Sequence, residues 1–237
     1  MPNDVLNGIV LRATDYRESD RILNILTKER GLIAVTARGC RKPNSKLAAY
    51  ASQFTYGEAE VSERVGKLML SNAAVLESFY SIRESYEQLL AASHIASAVE
   101  RLSEQNPNDE LFLLTFNALS VIAYGEAEPK DIELCFLAKL LKLSGFAPVL
   151  TSCVKCGADL RKNSVIRFSN SLGGSLCERC GGAYVKVSAL SLEAFRRMML
   201  LPIGDMRKVR LPESVRIELD SLIYNYAEYV FELTLRK

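Results

Sequence analysis

Cys153-Val154-Lys155-Cys156 and Cys177-Glu178-Arg179-Cys180 carry the most specific chemical signal in this 237-residue chain. Two CxxC knuckles with twenty residues between them place four thiolates around one zinc ion. The two-residue gap lets successive sulfurs point the same way, and Gly157, Gly181 and Gly182 permit tight turns beyond the knuckles. Cysteine at all four positions makes a closed, structural site with no position left for a catalytic water. The 35 residues from 151 to 185 cannot build a core of their own, so metal binding would supply their folding energy. Structural disulfides, a redox CxxC and chance are the competing readings. An intracellular chain argues against disulfides, and two paired motifs argue against a redox site, which needs one. The expectation is one structural zinc per chain. Lys155, Arg161, Lys162, Arg167 and Arg179 around it suit nucleic acid as well as they suit plain solvation.

A second signal lies in Arg38-Gly39-Cys40-Arg41-Lys42-Pro43-Asn44-Ser45-Lys46. Four cations with Gly39 and Pro43 form a basic loop, not a continuing strand. Such a loop at the mouth of a small barrel would run along a phosphate backbone through Arg38, Arg41, Lys42 and Lys46, with Ser45 and backbone N–H groups adding hydrogen bonds. Arg12, Arg17 and Arg21 would extend the track, and Tyr16, Phe54 or Tyr56 would offer faces for stacking bases. An ordinary solvated loop and barrel-core aromatics would give the same residue pattern. Arg196 with Arg197, and Arg207 and Lys208 with Arg210, are smaller basic clusters, each a DNA or partner surface or a solvated face. Cys135 falls in an apolar helical stripe, Cys40 is an unpaired thiol, and His94, the one histidine, belongs to no motif.

Catalytic patterns are missing. A single histidine without a nucleophile motif gives a Ser-His-Asp triad no support. No GxxxxGK[ST] or GxGxxG occurs, and the acidic residues show no paired metal-binding pattern. The sequence therefore reads as a binding protein and not an enzyme.

These groups need a scaffold, and the periodicity supplies one. Up to about residue 77 the period is near two. Strands are expected over 9–14 after an Asn7-Gly8 turn, over 21–27, over 32–37 opened by Gly31, over 54–63, and over 67–75 after a Val65-Gly66 turn. Five short strands suit an OB-fold barrel, and an SH3-like barrel would use a similar count. From Ser81 the period becomes 3.6. Ile82, Tyr86, Leu89, Ala96, Val99 and Leu102 form one stripe, and further helices are expected over 109–124, from Pro129 to Ser144, over 191–201 and from Pro212 onward. The helices on either side of 149–185 each show one apolar face, which makes that segment an insertion between helices sharing a core. The fold class expected is α+β and multi-domain: a barrel at 1–80, an all-α helical domain at 81–150 plus 186–237, and an inserted zinc module at 151–185.

Composition sets outer limits. Hydrophobic residues make up 49% of the chain and charged residues 24%, enough apolar mass for a folded core. Residues 81–150 carry five Lys/Arg against ten Asp/Glu, whereas 151–184 carry five against two. Basic ends around an acidic middle suggest a polyanion partner. The longest uncharged run, 111–125, is too short for a bilayer. The first residues lack a basic segment followed by an apolar one, so a cytoplasmic protein with no membrane association is expected.

Together the motifs resemble the RecO family of bacterial DNA repair proteins over nearly the whole chain. The resemblance is carried by the stretch from Gly8 to Asp20, by Thr27-Lys28-Glu29-Arg30-Gly31-Leu32-Ile33, and by Ala37-Arg38-Gly39-Cys40-Arg41-Lys42-Pro43. Leu143-Ser144-Gly145-Phe146-Ala147-Pro148 and the CxxC pair complete it. Some members of the family lack the cysteines, and this chain retains all four. The resemblance implies an N-terminal OB-fold and a helical domain with the zinc module inserted. It implies a role in DNA repair and homologous recombination: binding of single- and double-stranded DNA, annealing of complementary strands, cooperation with the mediator RecR, and recognition of the acidic tail of single-stranded DNA-binding protein (SSB), which helps RecA to load. A protein that joins two strands must neutralise phosphates while leaving base edges free, and a track such as Arg38, Arg41, Lys42 and Lys46 does so without reading sequence. The alternative is a zinc-containing protein–protein scaffold with incidental DNA binding.

Overall fold

The computed structural model describes residues 4–64, 66–103, 105–161 and 165–235. Val65, half of the expected turn, and Lys162 lie outside the described residues. The chain divides into two compact units, Met1–Tyr124 and Gly125–Lys237.

In the first unit β1 (Asp4–Tyr16), β2 (Asp20–Thr27), β3 (Gly31–Ala37), β4 (Tyr56–Arg64) and β5 (Lys67–Glu77) close a barrel in the order β1-β2-β3-β5-β4. All pairings are antiparallel except β3 with β5, which is parallel through Val35↔Leu68 and Thr36↔Met69. Five strands closed by one parallel pair form the OB-fold anticipated from the strand count. Leu6, Val10, Leu23, Ile25, Val35 and Tyr50 are among the side chains that fill the barrel. Val10 enters the barrel core while Ile9 and Leu11, on the opposite face of the strand, are buried outside that cluster, and a bulge follows between Val10 and Arg12.

Asn7 and Gly8 are not a turn. They lie within β1, paired with Glu58 and Gly57 of β4. The glycines serve close packing instead, since a Cβ on Gly57 would lie 2.0 Å from the Ala74 carbonyl oxygen.

A 3-10 turn (Tyr80–Arg83) leads from the barrel to α1 (Tyr86–Leu102) and α2 (Asp109–Tyr124). Ser85 caps α1 by accepting from the Gln88 N–H, and Asn108 accepts from the Leu111 N–H at 2.9 Å at the start of α2. The packed face of α1 is Ala91, Ala92, Ile95, Ala96, Ala98 and Val99. Tyr86 and Leu89, expected in that stripe, are exposed, because alanines allow the closer approach and the helix turns that face inward. α1 and α2 group with the barrel in one compact unit that ends at Tyr124.

The second unit contains α3 (Pro129–Leu143), β6 (Ile166–Ser169), β7 (Gly174–Cys177), the single turn α4 (Glu178–Gly181), β8 (Val185–Val187), α5 (Ala189–Leu200), a 3-10 segment (Ile203–Lys208) and α6 (Glu213–Phe231). α3 is packed by both α5 and α6, and the three short strands form a sheet in the order β7-β6-β8. Being central, α3 buries polar side chains and satisfies each with a partner. Asp131 accepts from Arg216 Nε at 2.6 Å and from the Leu211 N–H at 2.9 Å. Glu133 accepts from the Tyr224 hydroxyl, and Lys139 donates to the Leu201 carbonyl at the C-terminal end of α5. Among the described residues no helix is long and apolar enough to cross a membrane.

Candidate metal centre and polyanion surfaces

The four cysteine sulfurs of the second unit lie within 4.8 Å of one another. Cys153 and Cys156 sit on a tight turn in which the Gly157 N–H donates to the Cys153 carbonyl at 2.8 Å, with Gly157 at φ 73°. Cys177 ends β7 and Cys180 lies on the following turn, α4. Tetrahedral thiolates on zinc, each about 2.3 Å from the metal, stand about 3.8 Å apart. The Cys156 and Cys177 sulfurs are 3.7 Å apart, so the set fits a zinc-sized tetrahedral ion. Burial opposes ionisation of the Cys153 thiol, but backbone N–H groups of Cys177, Cys156 and Lys155 bring it down to about 6. The neighbouring sulfurs, Cys177 first, push Cys180 up to about 12, so a cation is needed before all four can be thiolates. Cys153 and Cys177 are buried and Cys156 faces solvent. Cys135 behaves differently: burial pushes its thiol up to about 12 within α3, and Cys40 is likewise buried and raised.

The basic loop after β3 folds back over the turn between β1 and β2. The Gly39 N–H donates to Asp20 Oδ1 at 2.8 Å, and the Arg41 N–H donates to the Ser19 carbonyl at 3.0 Å. Arg38, Arg41, Lys42 and Lys46 are exposed. Among the described residues Arg38, Lys42 and Lys46 have no carboxylate partner, whereas Arg41 shares Asp15 with Arg21 at 3.3 and 2.9 Å. Arg17 lies over the ring of exposed Tyr16, 5.1 Å from its centroid. Arg17, Arg21, Arg38 and Arg41 thus gather at one end of the barrel. Arg12 does not join them, because its guanidinium is engaged by Glu100 of α1.

The three aromatics divide in the same way. Tyr16 keeps an open face, but Phe54 is fully buried and Tyr56 meets Phe112 and Phe116 edge-on at 6.2 and 5.0 Å. Phe54 is therefore the core aromatic that the alternative reading allows, and Tyr56 is half-buried with its ring packed on α2.

Sequence reasoning missed a hollow of about 500 Å³ on the β2–β3 side of the barrel. Tyr16, Ile22, Arg30, Thr36 and Lys67 line it, from the β1–β2 turn, β2, the β2–β3 turn, β3 and the start of β5. OB-folds bind oligonucleotides on this face and with these hairpins. Only the alternation of β3 hinted at it, since the residues converge through barrel closure.

In the second unit an apolar groove of about 360 Å³ runs beside α5. Leu190, Met198, Leu201, Val209 and Val215 are among its walls, and Arg197, Lys208 and Arg210 stand at it. Arg210 is fixed by donating to the Arg207 and Val209 carbonyls at 2.8 Å each, and Lys208 pairs with Asp205 at 2.7 Å. Arg196 lines a neighbouring hollow with Arg161 of the cysteine module. Glu193 accepts from both Arg196 and Arg197 at 2.7 Å.

Comparison with known proteins agrees with this architecture. Residues 1–79 match the family model described as Recombination protein O N terminal, and residues 83–237 match Recombination protein O C terminal. The chain is 33% identical to the DNA repair protein RecO of Desulforamulus reducens, over 98% of this chain and 91% of that one. It is 30% identical to the DNA repair protein RecO of Bacillus subtilis, over 97% and 90%. Identity reaches 36% with the DNA repair protein RecO of Rubrobacter xylanophilus, over 88% and 86%.

Proposed function

Because the chain belongs to the RecO family of DNA repair proteins, we propose that it is a recombination mediator that binds and anneals DNA without covalent chemistry. The observation that carries this reading is the basic end of the OB barrel, where Arg38, Lys42 and Lys46 lack carboxylate partners among the described residues. Unpaired exposed cations release counterions on meeting phosphate and leave base edges free, which is what annealing requires. Tyr16, Arg30 and Lys67 would receive a single strand on the β2–β3 face.

The four cysteines would hold one zinc and fold their segment around it, with all its ligand positions taken by protein. The groove beside α5 suits the acidic, hydrophobic tail of SSB: apolar walls take the side chains while Arg197, Lys208 and Arg210 meet the carboxylates. In this reading the protein engages SSB-coated strands, cooperates with RecR and so helps RecA to load. Annealing of complementary oligonucleotides in the presence of SSB, with and without the protein, tests it. Faster annealing is expected, and no acceleration would sink the reading. A charge-reversed basic loop that kept full activity would favour a protein–protein scaffold.

A further inference from the structure

We infer that Glu193 is an internal carboxylate placed where a ligand's carboxylate must bind, and that Arg196 is the residue that receives it when the ligand arrives. This rests on the groove reading above. Glu193 Oε1 accepts from Arg197 Nε at 2.7 Å and from Arg196 Nη2 at 2.8 Å, while Oε2 accepts from Arg196 Nε at 2.7 Å. Arg196 is therefore held by two N–H bonds and Arg197 by one. All three residues ride on α5 at i, i+3 and i+4, so the fork forms without any tertiary contact.

The two arginines differ in what they face. Arg197 lines both the apolar groove and the adjoining hollow, whereas Arg196 lines the hollow, with Arg161, and not the groove. An acidic peptide entering the groove competes with Glu193 for Arg197. The competition costs little, because the released oxygen keeps its bonds to Arg196 and no bare carboxylate is left at the groove wall. A neutral apolar peptide has no such exchange to make and gains nothing from Arg197. Glu193 thereby sets how acidic an occupant must be, and Arg196 acts as a positioning residue without touching the ligand.

Two substitutions and their combination test this. The probe is a short labelled peptide of several aspartates ending in a free C-terminal phenylalanine, with an asparagine version ending in a C-terminal amide as the neutral control. Glu193→Gln should tighten the acidic peptide about fivefold and leave the neutral one unchanged. Arg196→Ala should weaken the acidic peptide, because Glu193 then holds Arg197 alone, and the loss should disappear in the Glu193→Gln background. Unchanged or weaker acidic-peptide affinity in Glu193→Gln overturns the inference, as does an equal Arg196→Ala loss in both backgrounds. Leu190→Asp and Arg197→Glu separate this from failure of the groove itself. Leu190 is exposed at the groove wall, and if neither variant alters peptide affinity the groove reading falls with the inference built on it.

Discussion

The Arg12 guanidinium of β1 lies 2.6 Å from the Glu100 carboxylate of α1, and the same carboxylate accepts from the Asn24 side chain of β2 at 2.8 Å. One half-buried acid on the first helix thus joins two neighbouring strands of the barrel. Arg12 is a clamp between barrel and helix, although its residue type and place in the sequence suit a phosphate track equally well. Arg12→Ala should lower stability by about 1 kcal/mol, less than the usual range for a charged hydrogen bond because the arginine is half exposed. Urea unfolding measures that loss. The salt dependence of DNA binding should not change, and a flatter slope would return Arg12 to the DNA surface.

The loop cations should separate by partner. Removing two unpaired contacts with Arg38→Ala and Lys42→Ala should flatten the log–log salt slope for single strands by about 1.4 units. Arg41→Ala should do less, because Asp15 already offsets its charge at 3.3 Å. Fluorescence anisotropy over a salt series reads both. Equal slopes in wild type and double variant would move the interface to the β2–β3 hollow.

Elemental analysis of protein purified without chelator should find close to one zinc per chain. Cys153→Ser should lower metal retention and thermal stability more than Cys156→Ser, since Cys153 is buried and Cys156 is exposed. Equal effects would mean that the buried Cys153 sulfur is not the anchor of the site.

Asp131 supports the groove from below. It fixes Arg216 and the Leu211 N–H, and Leu211 forms part of the groove wall. Asp131→Asn leaves Arg216 without its counter-charge and should cost about 3 kcal/mol in urea unfolding. Peptide affinity should fall with it even at temperatures where the protein stays folded. A stable variant with unchanged affinity would detach the segment 209–212 from this support.

Arg196 first, and then Arg197, hold the Glu193 carboxyl down at about 2. A depressed carboxylate contributes above its unfolded pKa, and the contribution fades as pH falls through the folded value. The fork should therefore stay ionised from about pH 5 to pH 8, a range well above the folded value and above the ordinary carboxylate value as well. The ratio of acidic-peptide affinities between Glu193→Gln and wild type should hold constant across that range. A ratio that drifts with pH would point to another titrating group at the groove.

Local features of this protein were legible in the sequence by themselves. The two CxxC knuckles are read from spacing, because a metal knuckle is a matter of a few bonds. α2 runs over 109–124 as the periodicity and Asn108 indicate, because caps and helix periods are set within a turn or two. The five strands followed from alternation, and belonging to the RecO family followed from the order of the motifs. What tertiary structure decided is every relationship that closes over a long stretch of chain. Asn7-Gly8 has the composition of a turn, but Gly8 pairs with Gly57 inside the sheet, where a Cβ on Gly8 would meet Ile25 of β2 at 2.4 Å and one on Gly57 the Ala74 carbonyl of β5 at 2.0 Å. Phe54 became core inside the first unit, and Tyr56 is half-buried because its ring packs edge-on against α2. Arg12 and Glu100 stand 88 positions apart, and Asp131 and Arg216 stand 85 apart. No local preference encodes such pairs, because a charge finds its partner only after the hydrophobic faces have packed and fixed which surfaces meet.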